Sequence, residues 1–120
     1  MIVKALSVKE PWASMIRLGK KKIEFRTWYR NYRGRLLIVA SKSPRILLCG
    51  HAVCFVDLVH WRKPISEDRD NPGCPLSVNL PGYYSLVLEK PNPILVTFPV
   101  RGRLGLYDVE LPEELCSTLL

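Results

Sequence analysis

The stretch Gly19-Lys20-Lys21-Lys22-Ile23-Glu24-Phe25-Arg26-Thr27-Trp28 decides how this chain is read. Gly19 supplies a helix stop. From Lys22 onward the residues alternate, with Ile23, Phe25 and Thr27 to one side and Lys22, Glu24, Arg26 and Trp28 to the other. A helix therefore ends, the chain turns, and a strand begins with one apolar and one charged face. Strand geometry sets Glu24 and Arg26 on the same face, roughly 7 Å apart at the backbone, with Lys21 at the turn just before them. The three side chains can converge on one cleft. There Glu24 can accept from a base amino group, Arg26 can bind a phosphate or a base edge, and Lys21 can neutralise a phosphate. Trp28 continues the face and offers a stacking surface. An ordinary exposed sheet face laced by ion pairs would show the same spacing.

Upstream, residues 2–6 read as a short strand. Pro11 suits the first turn of a helix, because its missing N–H would be unpaired there anyway. Ser7 and Glu10 have capping-box spacing, but a helix starting at Ser7 would place Pro11 one turn too deep, so the helix is read from about Pro11. Trp12, Met15 and Ile16 then fall at helical spacing. Downstream, Tyr29–Gly34 form a polar, aromatic loop in which Tyr29 and Tyr32, flanked by Arg30 and Arg33, either stack on bases or pin the loop to the fold. Arg35–Ala40 and residues 51–61 read as strands, with Lys42 just past the first of them. Residues 62–82, rich in Pro, Gly, Asp and Glu, read as a long surface loop. Strands are expected again at Tyr83–Leu88, Ile94–Val100 and Leu104–Val109, separated by Pro91-Asn92-Pro93 and the Gly102 region. Residues 112–120 read as a terminal helical turn. Strands follow one another through turns rather than helices, so the expected fold is mainly β: a small, mostly antiparallel β-barrel with one or two short helices, in a single domain over residues 1–120.

The 120 residues carry 18 Lys and Arg against 11 Asp and Glu, a net charge of +7. Residues 1–48 hold 12 basic and 2 acidic side chains, whereas residues 49–120 hold 6 basic and 9 acidic. That asymmetry points either to a polyanionic partner, RNA or DNA first, or to a solvated basic face. No apolar run is long enough for a membrane span, and the N-terminus lacks the apolar stretch of a signal peptide, so the expected location is cytoplasmic with no membrane partner. Cys49, Cys54, Cys74 and Cys116 form no C-x-x-C pair. They are read as free thiols, Cys49 and Cys54 packing in the core, and no metal or other cofactor is expected. His51 and His60 read as ordinary strand residues. Oligomeric state is not legible.

Gly19-x-Lys21-x-x-Glu24-x-Arg26 resembles the G-x-K-x-x-E-x-R signature of the ASCH domain, a branch of the PUA-like superfamily. The flanks resemble it too: Ala5 to Ala13 its opening strand and helix, Tyr32 to Lys42 its following strand, Gly50 to Trp61 its central strand, and Tyr84 to Leu88 followed by Pro99-Val100-Arg101-Gly102 and Gly105-Leu106-Tyr107 its C-terminal hairpin. Two departures stand out: the segment from Lys42 to His51 is too short for the second helix of many relatives, and Tyr84 stands where many have Trp. The resemblance implies a PUA-like β-barrel with a cleft between the opening helix and the barrel, lined by the signature. It implies RNA or a nucleotide-derived ligand in that cleft, with an unstacked base against an aromatic side chain. The candidate nucleic-acid-binding residues are Lys21, Glu24 and Arg26, with Trp12, Trp28, Lys42 and Tyr84 around them.

An enzymatic alternative is a small RNA- or nucleoside-processing hydrolase, amidohydrolase-like by the resemblance or a ribonuclease by the residues. Some ASCH-like proteins are amidohydrolases acting on acetylated cytidine, with a threonine nucleophile where Glu24 stands here. Glu24 cannot replace that hydroxyl without a change of mechanism, and Glu89 and Glu67 are only guesses for the second carboxylate. A ribonuclease would use Lys21 and Glu24 as acid and base, with Arg26 on phosphate charge. A third reading is a protein-interaction module built on the acidic loop at 66–70. Arg101 and Arg103 are expected to add to the basic surface.

Overall fold

A computed structural model of the chain describes residues 1–79 and 81–113. It contains six strands and one short α-helix: β1 (Ile2–Val8), α1 (Trp12–Arg17), β2 (Ile23–Arg26), β3 (Gly34–Ala40), β4 (His51–Arg62), β5 (Tyr84–Pro99) and β6 (Leu106–Glu110), with a 3-10 turn at Ser66–Asp70. The strands form one sheet in the order β2-β5-β4-β3-β1-β6. All pairings are antiparallel except β1 with β3, which run parallel with α1 and β2 carried in the connection between them. Among the described residues the sheet is not hydrogen-bonded into a closed ring. Instead a side chain crosses the seam, where Arg26 Nη2 at the end of β2 donates to the Ser7 carbonyl of β1 at 2.8 Å.

The run Leu36-Leu37-Ile38-Val39-Ala40 is apolar without alternation because β3 is covered on both faces. Leu36, Ile38 and Ala40 pack with Leu6, Val8, Ala13 and Ile16 on the face that α1 covers. Leu37 and Val39 pack with Ala5, Phe55, Ile94 and Tyr107 on the other. The helix begins where Pro11 predicts, and Glu10 rather than Ser7 serves its start, its carboxylate accepting from Ser14 N–H at 2.8 Å and from Ser14 Oγ at 2.6 Å. No helix occurs between Lys42 and His51, in line with the short segment there. Among the described residues no helix is long and apolar enough to cross a membrane.

Three expectations need correction. Pro91-Asn92-Pro93 does not separate two strands, because β5 runs through it from Tyr84 to Pro99. The β4–β5 register slips at three places, and β2 pairs only with Tyr84–Val87, so the prolines fall where β5 has β4 on one side alone. Arg17 fills one of these bulges, its guanidinium donating to Val53 O at 3.1 Å and Ile94 O at 3.0 Å. The strand expected over residues 22–28 stops at Arg26, and Trp28 stands in the following loop. The 62–82 segment is docked rather than merely superficial: Asp68 and Val78 are buried, and Val78 packs on Ile23 and Phe25 of β2. Cys54 is buried as expected and burial pushes its thiol up to about 12, whereas Cys49 is half-buried. Cys116 and the terminal turn beyond residue 113 lie outside the described residues.

Candidate nucleic-acid cleft

Parallel pairing of β1 and β3 brings the ends of both strands, and hence Lys9 and Lys42, to one rim. Backbone hydrogen bonds extend that rim sideways: Ser41 N–H to Val8 O, Gly50 N–H to Ala40 O, and Val100 N–H to Gly50 O. Arg101-Gly102-Arg103 therefore continues the same edge. Tyr107, on β6, reaches β1. Its hydroxyl lies 2.7 Å from Ser7 Oγ. Burial pushes that phenol upward from its ordinary range.

The rest of the lining comes from α1, β2 and the loop after it. Trp12, Glu24, Arg26, Trp28 and Arg30 share with that rim a cleft of about 1530 Å³, and the two parts adjoin where Arg26 donates to Ser7 O. Six cationic side chains (Lys9, Arg26, Arg30, Lys42, Arg101 and Arg103) line it, with Glu24 as the one acid among the lining residues. The sequence asymmetry is thus partly a cleft. Three other N-terminal cations serve elsewhere: Lys4 pairs with Asp108, Arg35 with Asp57, and Arg17 plugs the bulge.

The signature residues meet, but from two sides. Glu24 Oε2 accepts from Arg26 Nη2 at 2.6 Å, and Glu24 Oε1 lies 3.4 Å from Lys21 Nζ. Lys21 approaches from behind the cleft wall. Its side chain is 0% exposed, and its ammonium donates to the Pro72 carbonyl at 2.5 Å and lies 5.2 Å from the Phe25 ring centroid. Burial pulls Lys21 below the ordinary lysine range, with Glu24 acting in the opposite direction. Gly73 covers the same spot: its φ is +77°, and a Cβ there would come within 3.1 Å of the Trp12 ring and 3.3 Å of Lys21 Nζ. Only a glycine lets the 72–74 turn close this tightly.

The aromatic candidates divide. Trp12 lines the cleft with Gly73 at its back. Trp28 also lines it, with Arg30 and Arg26 guanidinium carbons 5.3 and 5.9 Å from its ring and Trp61 5.6 Å away. Tyr84 does not line the cleft; it stands opposite Arg26 on β5 and packs 5.5 Å from Tyr29. Tyr29 also meets Trp61 edge-on, and Tyr32 Oη donates to Arg35 O, so these tyrosines pin the loop. Lys9 escaped the sequence reading because it sits in no signature; only the β1–β3 pairing shows where it goes. Among the described residues no group of three His, Cys, Asp or Glu side chains could hold a metal ion.

A six-stranded, largely antiparallel sheet with one short helix and a basic cleft is consistent with an ASCH-type, PUA-like domain. The chain belongs to the ASCH domain family, whose match covers residues 6–104. Activating signal cointegrator 1 of Homo sapiens is 29% identical over an alignment taking in 81% of this chain and 20% of that protein, and the Mus musculus protein matches to the same extent. The chain thus spans about a fifth of the length of those relatives. Among solved structures, a point-mutant form of an ASCH protein from Zymomonas mobilis superposes with a TM-score of 0.70 at 16% identity, covering 97% of this chain and 92% of that one. Another crystal structure of ASCH from that organism gives 0.61 with the same identity and coverage. At such identity these structures support the fold.

Proposed function

We propose that this ASCH domain binds RNA in the cleft between α1–β2 and the 99–105 segment. The observation that carries the reading is the cleft's composition: six cationic side chains, one carboxylate and two indoles at its wall. Cations neutralise phosphates and release counterions, which supplies affinity without regard to sequence. The indole of Trp12, backed by Gly73, offers a face for an unstacked base. Glu24, held by Lys21 and Arg26, presents a fixed acceptor to a base amino group beside that face. Lys21 serves the site from behind, as the residue that positions Glu24. The basic rim distinguishes this reading from the acidic loop at 66–70 as the working surface, since Asp68 in that loop is spent on Arg62 and Ser85.

The test is RNA affinity measured across salt concentrations for the wild type and Arg26→Ala/Arg30→Ala. The expected wild-type plot of log K against log salt is steep, and the slope of the variant is shallower by about 0.7 for each phosphate contact removed. Arg26→Lys/Arg30→Lys should keep most of the slope. Equal affinity and slope in wild type and the alanine variant would overturn the assignment.

A further inference from the structure

The cleft has two separately built banks, and only one of them contains the signature. The first carries Glu24, Arg26 and Arg30 on β2 and the loop after it. The second carries Lys42, Arg101 and Arg103, on backbone that is chained to the β3 end through Gly50 and Val100. Resting on the RNA-binding reading above, we propose that the ligand is a single-stranded oligonucleotide whose backbone runs across both banks, with Arg101 and Arg103 as phosphate-binding residues of the second, rather than a free nucleoside or nucleotide held at the signature alone.

Three observations carry this. The cleft of about 1530 Å³ exceeds the range of about 300–1,000 Å³ that encloses small ligands. Its cations come from two separately built segments, β2 with the loop after it and the edge that carries Lys42, Arg101 and Arg103, whereas a mononucleotide brings its charge to one end. The second bank is also fixed in place. Tyr107, only 8% exposed, meets Ser7 Oγ through its hydroxyl at 2.7 Å. Gly102 lies against Ser7 so closely that a Cβ would come 3.0 Å from Ser7 Oγ. The backbone between the two arginines is thus held against Ser7 while both residues stay exposed. Arginine forks suit a phosphate track better than single-point ammonium groups, although lysine retains the charge.

The experiment measures binding of labelled single-stranded RNAs of about 2, 6 and 12 nucleotides, bracketing the site sizes of comparable barrels, to the wild type and to Arg101→Ala/Arg103→Ala. The wild type should gain tenfold or more in affinity from the shortest to the longest. In the alanine variant that gain should collapse, and the salt slope for the longest RNA should fall by about 1.4, two contacts at about 0.7 each. Arg101→Lys/Arg103→Lys should restore both. Affinity independent of length in the wild type would overturn the proposal, as would a variant that keeps the full length gain and slope. In either case Arg26→Ala/Arg30→Ala still loses binding, and the RNA-binding reading stands. A wild type that binds no RNA of any length overturns both.

Discussion

Glu24→Ala is expected to destabilise the folded domain by about 3 kcal/mol at neutral pH, the lower end of what breaking a buried ion pair costs. In a domain of this size that is a fall of roughly 10–15 °C in Tm. Glu24 stands between Lys21, whose side chain is fully buried, and Arg26, which is one-fifth exposed. Removing the carboxylate leaves the Lys21 ammonium with the Pro72 carbonyl as its hydrogen-bond acceptor. The sign of the pH dependence follows from Lys21. Burial already sets its folded pKa below the unfolded value, and Glu24 opposes that shift. Without Glu24 the folded pKa drops further, so the charged form costs more in the fold. The deficit is therefore largest while Lys21 is protonated and shrinks as pH rises through the alkaline range. Pairing the change with Lys21→Leu should recover most of the stability, since an apolar replacement of both partners leaves no orphaned charge. Thermal unfolding of the three proteins across pH checks this. A deficit that grows with pH, or a double variant no better than the single one, would refute the pairing.

Asp68→Asn should lower stability by about 2 kcal/mol at neutral pH, and that difference should vanish in acid. Burial alone would raise the Asp68 carboxyl, but hydrogen bonds from Arg62, the Ile65 N–H and Ser85 Oγ outweigh it and hold the group at about 2, against an ordinary 3.8. A carboxyl depressed in the fold stabilises it fully above the unfolded value and loses that contribution as pH falls through the folded one. The wild-type advantage should thus be flat above about pH 4 and disappear as pH approaches 2. Urea unfolding of both proteins over that window reads it out, and a difference independent of pH would disprove it. The carboxylate also anchors the segment that carries Pro72 and Gly73, the residues packed on Lys21 and Trp12. Asp68→Asn should accordingly weaken binding in the cleft although no cleft-lining residue has changed.

The convergence of Lys21, Glu24 and Arg26 was legible because alternation within one strand and the turn before it are local properties. Glu24 and Arg26 share a side by the two-residue period, and the two meet at 2.6 Å. The side from which Lys21 approaches was not legible. Its burial depends on Pro72 and Gly73, some 50 positions away, in a stretch whose composition reads as surface loop. Tyr84 was placed at the cleft by analogy of position along the chain. Its place opposite Arg26 on β5 sends its ring to Tyr29 instead. The uninterrupted β5 was hidden for a related reason. Prolines normally end strands, and the bulges and the Arg17 guanidinium that accommodate these are long-range features.

The strand-rich architecture, the helix start at Pro11 and the membership implied by the G-x-K-x-x-E-x-R spacing are written in local stretches of the chain. Periodicity, turn chemistry and apolar content act over a few residues, so they can be read without the fold. Only the tertiary structure decided which charges work together. Lys9, Lys42, Arg101 and Arg103 reach one rim because β1 and β3 run parallel and Val100 bonds back to Gly50. Lys4, Arg17 and Arg35, from the same basic N-terminal segment as Lys9 and Lys42, are drawn off to Asp108, to bulge carbonyls and to Asp57. A charge acts over a distance in space, and strand pairing between residues far apart in the chain is what sets that distance.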